Sequence, residues 1–307
     1  MVISRLGSIK VPAEGVYGRE VPIAPLVVVP AVPAPAAAVT VGDLAFGWRL
    51  DPAALLVVVL AGGLYAVGVR RLAARGRVWP LGRRAAMAGA LAAAVLATQS
   101  GVGRYEADRF SVHMVQHVLL GMVVPLLAVL AAPLTLALQT GAPGTRQVLR
   151  TALHSRPGRL VAHPLVGWAL FGGGLVVIYL TPLLDLAARH DLVHLAVHAH
   201  VVATGVLFLA LIVGVDPLPA RPPYGARLLV LLVSVPFHAV VALALISAGS
   251  PVAPDAYPSL DDQRAAAALF WGSGELLTVV VAAIVCRQWW VSEQRAAARE
   301  DRLDRSR

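Results

Sequence analysis

Seven stretches of this chain are each long and apolar enough, or nearly so, to cross a bilayer: residues 52–69, 85–100, 111–138, 164–181, 192–214, 228–249 and 265–286. A helix needs about 20 apolar residues to span the hydrocarbon core. Only a helix or a closed barrel satisfies its own backbone there. The second stretch is short and rich in alanine. The third is longer than one crossing needs, and Pro125 and Pro133 predict a kink or an end within it. Composition agrees: 58% of the residues are hydrophobic and 14% charged, against about a quarter charged in soluble domains. The expectation is an all-α fold, a polytopic transmembrane helix bundle of about seven spans in contact with membrane lipid.

Charge predicts how the bundle sits. The net charge is +9, and every basic residue but Lys10 is Arg. Arginines crowd the connection at 70–84, the connection at 146–159, Arg221 and Arg227, and the tail from Arg287 onward. These segments alternate with poorer ones, as the positive-inside rule expects. The N-terminus is therefore expected outside and the C-terminus in the cytoplasm. The basic charge is read as topology and contact with anionic lipid, and no nucleic-acid partner is expected. Residues 1–47 read as a proline-rich N-terminal extension, either an extended segment or a leader, 48–290 as the bundle and 291–307 as a charged cytoplasmic helix that frays. Cys286 stands alone, so no disulfide or thiolate cluster is expected, and it reads as a small core residue.

Histidine is the informative residue. His113, His117, His194, His198, His200 and His238 fall within the apolar stretches, as does Glu275. Ionisable groups in a membrane are costly and face the bundle interior or a water-filled cavity. His113 and His117 are four apart and share a helical face, and His190, His194 and His198 repeat at four. His200 is rotated off that stripe. With the predicted topology the two sets lie at similar depth in the outer half of the bundle. Asp261 and Asp262 sit near that surface, and His238 and Glu275 lie deeper. Imidazole ligates copper, zinc, iron or nickel, so His113, His117, His194, His198, His238 and Glu275 are candidate metal ligands. A proton or polar network and structural hydrogen bonding use the same residue types. Trp48, Trp79, Trp168, Trp289 and Trp290 fit an aromatic belt, and Gly172, Gly173 and Gly174 fit a close helix approach. No phosphate-binding loop, nucleophile triad or zinc-protease helix is present in the sequence.

Several segments together carry a family resemblance. FSVHMVQHVLLGMVVPLLAVLAAPLTLAL (110–138), HSRPGRLVAHPLVGWALF (154–171), TPLLDLAARHDLVHLAVHAHVVATGVLF (181–208), GVDP (214–217), PFHAV (236–240) and FWGSGELLTVV (270–280) closely resemble the CtaG-type cytochrome c oxidase assembly proteins. The resemblance covers roughly residues 48–295. It implies a bacterial plasma-membrane protein that helps assemble a haem–copper respiratory oxidase, with oxidase subunits as partners and copper handling as the expected task. No turnover chemistry and no small-molecule substrate are expected. That the motif residues bind copper follows from their chemistry rather than from the resemblance. Three alternatives stand beside this reading: a b-type haem electron carrier using His117 with His194 or His198, a copper transporter, and a scaffold without metal.

Overall fold

A computed structural model describes residues 39–219 and 221–305. Among the described residues there are fourteen α-helices and one π-helical turn, and no strand. The short α1 (Val41–Phe46) leads into α2 (Pro52–Ala73) and α3 (Leu81–Gln99). After α4 (Gly101–Tyr105) come α5 (Phe110–Val118), the π-helical turn Leu119–Val123, α6 (Val124–Leu130) and α7 (Pro133–Thr140). Next, α8 (Pro143–His154) and α9 (Arg156–Val161) connect to α10 (Pro164–Leu180), which is bent by 73° from α11 (Leu183–Arg189). The chain closes with α12 (Asp191–Val213), α13 (Tyr224–Ser247) and α14 (Leu260–Arg305). Six helical segments are long and apolar enough to cross a membrane, and seven if the bent pair α10–α11 counts as one span. Most of the proline-rich extension lies outside the described residues.

The sequence places the breaks. Pro125 has no N–H to give the carbonyl of Gly121, and the ladder loosens into the π-helical turn just before it. Pro133 cannot continue α6, and Ala132 turns with φ 52° before α7 restarts on the proline. The 46-residue α14 is about 69 Å long, roughly twice the hydrocarbon thickness of about 30 Å. It runs on unbroken through the charged segment to Arg305.

Two apolar clusters hold the bundle. The larger joins α5, α10, α12, α13 and α14 through Phe110, Met114, Tyr179, Phe208, Leu245 and Phe270. The smaller joins α2, α3 and α7 through Tyr65, Leu72, Trp79, Met87 and Leu136. Gly172 seats the ring of Phe237, and Gly174 seats that of His200, so His200 is turned to α10. Two expectations are corrected here. Cys286 is exposed, because α14 buries Val281 and Val285 and the next residue is rotated about 100° away. Trp79 is not a belt residue on the surface. It is 4% exposed and donates its indole N–H to the Tyr65 hydroxyl at 2.7 Å.

Candidate metal centre

The centre is built where α5 meets α12, with the α4–α5 connection beside it. α5 carries His113 and His117 on one face, both buried. α12 supplies His194 and His198 from its first two turns. The helices come close because Gly205 has no side chain: a Cβ there would collide with the carbonyl of Gly121, the group that Pro125 leaves without its donor. One ligand nitrogen from each of His113, His117 and His194 lies within 4.8 Å of the others. Among the described residues these three form the group suited to a metal ion. His198 flanks it, with its ring 4.1 Å from that of His194 and 5.2 Å from that of His117.

What holds the rings is as informative as where they sit. The Nδ1 of His113 lies 3.2 Å from Glu106 Oε2. That of His117 lies 2.6 Å from the Tyr179 hydroxyl. Each ring thus has one nitrogen engaged by an orienting partner and the other, Nε2, buried without a hydrogen-bond partner. Metal-binding histidines are held in this manner, the second nitrogen fixing tautomer and ring direction. A buried polar atom left unpaired costs about 1–3 kcal/mol, and His113, His117 and His198 all leave Nε2 so. A cation bound there would remove that cost.

Glu106 organises the mouth of the site. Its Oε2 also lies 3.3 Å from His194 Nε2, and its Oε1 3.9 Å from an Arg49 nitrogen. Tyr257 donates its hydroxyl to the Glu106 carbonyl at 3.0 Å and so fixes the main chain. Burial raises the Glu106 carboxyl, but the hydrogen bond to His113 and the nearby imidazoles outweigh it and hold the group below its ordinary value. Burial pushes the Tyr257 hydroxyl up, which keeps it a donor.

The other expected site residues lie apart from this group. His238 is 4% exposed in a ring cage, with centroids 5.1 Å from Phe270 and 5.9 Å from Phe171, and packs on Gly274. Glu275 accepts from the Trp271 indole one turn back at 3.2 Å. Asp262 accepts from the Ser111 main-chain N–H and hydroxyl, pinning α14 to the start of α5. Sequence reasoning missed Glu106 and Tyr179. Glu106 was findable as an acid in the connection just before HMVQH, whereas Tyr179 carried no local signal.

Fold and site together define a polytopic α-helical membrane protein with a buried histidine cluster near one end of its bundle. Residues 63–292 match the family described as cytochrome c oxidase caa3 assembly factor, and the chain belongs to that family. Among curated proteins it is similar to uncharacterised proteins of Mycobacterium bovis and Mycobacterium tuberculosis. Each is 37% identical over 272 residues, covering 83% of this chain and 41% of the relative. A Mycobacterium leprae relative, also uncharacterised, is 34% identical over 271 residues with the same coverage. The chain thus spans about two fifths of the length of these relatives. No solved structure matches it.

Proposed function

We propose that this protein helps assemble a haem–copper respiratory oxidase in the bacterial plasma membrane by holding copper at His113, His117 and His194. The observation that carries the reading is the paired state of the α5 rings: Nδ1 engaged by Glu106 or Tyr179, Nε2 buried and unpaired. Imidazole suits copper in either oxidation state, and the neighbouring Glu106 carboxylate offsets the charge of a bound cation. Copper is cargo here: the chain binds it, orients the ligands and passes it on. Arginine-rich connections on the cytoplasmic side would put the cluster toward the outer surface, where an oxidase subunit could receive the ion. The role is one of binding and delivery, without turnover chemistry.

The haem alternative is weakened by ring spacing. Centroids of His113, His117, His194 and His198 are 4.1–5.6 Å apart in successive pairs. Rings in mutual contact leave no slot for a porphyrin between them. The test is elemental analysis and an optical spectrum of the purified protein beside His117→Ala. Copper near one per chain, lost in the variant and with no Soret band, is the expected result. A Soret band lost in the variant would establish the haem reading, and a protein that takes up no copper under any loading condition would be a scaffold.

A further inference from the structure

The apolar stretch of α14 runs from Ala265 to Cys286 and contains a single charged residue, Glu275. The helix between Ala265 and Glu275 rises about 15 Å, which puts the carboxylate at the middle of a hydrocarbon core about 30 Å thick. α14 packs on α5 and α13, burying Ala267, Phe270, Gly274 and Val281. Its other side turns outward: Ala268, Gly272, Leu276 and Val279 are exposed. Glu275 sits half-buried at the edge of that outward face. Its Oε1 accepts from the Trp271 indole at 3.2 Å. Its Oε2 accepts from no described group and is not enclosed by the chain.

An ionisable group at that depth is costly unless it is paired. Lipid cannot pair it: acyl chains offer no donor, and the headgroups lie about 15 Å off along the membrane normal, beyond the short stem of a glutamate. A second copy of this chain cannot pair it either. A symmetric contact through the same face would set one carboxylate against another, and none of the seven apolar stretches contains Lys or Arg. The face itself has room for a partner. A Cβ at Gly272 would meet nothing within 4 Å, so the surface between Ala268 and Leu276 is a shallow notch beside the carboxylate. Glycine at such a place lets a second helix approach closely.

We infer that the outward face of α14 at Gly272, Glu275 and Val279 docks a transmembrane helix of another protein, one that carries an arginine or lysine near the middle of its span. The glycine admits the helix, and the carboxylate pairs with a cation that is as costly in lipid as Glu275 itself. The pair also selects: a wholly apolar helix gains nothing from Glu275 and leaves its Oε2 open. The inference stands apart from copper binding, because α14 contributes no side chain to the three-histidine group.

The test uses the full chain in phosphatidylcholine vesicles with a donor dye on Cys286, which is its sole cysteine and exposed. The probes are three acceptor-labelled peptides, each a leucine–alanine span of about 22 residues, that differ only in a central arginine, glutamine or leucine. Energy transfer should saturate with the arginine peptide at a concentration at least about tenfold below that of the other two. Glu275→Gln should bring the arginine peptide to the level of the leucine peptide. Gly272→Leu, which fills the notch and spares the carboxylate, should weaken the arginine peptide by about tenfold. Both variants should melt and take up copper as the wild type does. An arginine peptide no tighter than the leucine peptide, a glutamine peptide as tight as the arginine peptide, or arginine binding that survives Glu275→Gln would each overturn the inference. So would transfer between separately labelled copies of the chain that Gly272→Leu abolishes, which would make the face an interface between copies. An arginine preference in a chain that takes up no copper leaves the inference standing.

Discussion

The two ends of α12 bury polar groups in opposite ways. Past its C-terminal end, Asp216 is 8% exposed. Its carboxylate accepts from Leu134 N–H at 3.2 Å, Thr135 N–H at 2.8 Å and the Thr135 hydroxyl at 2.5 Å. It caps α7, whose first turn would otherwise bury unpaired N–H groups. Nearby, the Tyr65 hydroxyl joins the Trp79 indole to the carbonyls of Arg83 and Ala131. Every one of these contacts is closed within the chain. At the N-terminal end, His113, His117 and His198 each leave a buried nitrogen open. The satisfied end is architecture. The unsatisfied end has the form of a site prepared for something the chain itself does not supply.

That contrast breaks most easily at His117. His117→Ala should lower copper affinity by more than the 10–100-fold that an outer partner costs, with little change in melting temperature, read by elemental analysis and thermal unfolding in detergent. Asp216→Ala should do the reverse. Losing three charge-assisted bonds to α7 should cost about 2–3 kcal/mol of stability while copper per folded chain stays constant. If Asp216→Ala removed copper without changing the melt, the division into architecture and site would be wrong.

Tyr179→Phe comes next. It removes one hydroxyl, leaves the ring in its core cluster, and frees His117 Nδ1. A loss of about tenfold in copper affinity is expected, and an unchanged affinity would show that the hydrogen bond does not orient the ligand. Acid should act on the same end. Protons compete with copper for the imidazole nitrogens, so affinity should fall as the pH is lowered from about 7.5 to the point of acid unfolding. Glu106 is not the cause of any fall above about pH 4.3. Its carboxyl lies below the ordinary value, so its stabilising contribution is complete above about pH 4.3 and is lost only as pH falls through the lowered folded value. An affinity that stays flat down to acid unfolding would rule out imidazole ligation.

Much of the closed architecture was legible in the sequence, and only part of the open site. Apolar length marked the crossings because a bilayer imposes it on any helix. Pro125 and Pro133 marked the irregular stretch because each lacks an N–H. The four-residue spacing of His113 and His117 put both on one face of α5, since that is the period of a helix. No local pattern says which face of α12 meets it, and the contact depends on Gly121 and Gly205 packing together. Glu106 escaped because it sits between spans rather than in one. Tyr179 escaped because its partner is 62 residues away. His238 and Glu275 read as deeper than the other histidines, and lying in the apolar stretches placed them within the bundle without saying which side chains they meet.

His238 sharpens the comparison with the smallest expected effect. It too leaves Nε2 buried and unpaired, so an open nitrogen alone does not make a site. The difference is company. His113 has His117 at 4.2 Å and His194 at 5.6 Å between centroids, whereas the rings around His238 are Phe171 and Phe270. Phenylalanine cannot share a metal. A leucine of similar bulk fits such a cage at a cost of less than about 1.5 kcal/mol, and removing the unpaired nitrogen works in its favour. His238→Leu should therefore keep copper at the wild-type level and shift the melt by only a few degrees. Copper lost from a folded His238→Leu protein would extend the centre to α13, and the site would then depend on the middle of the bundle as well as its end.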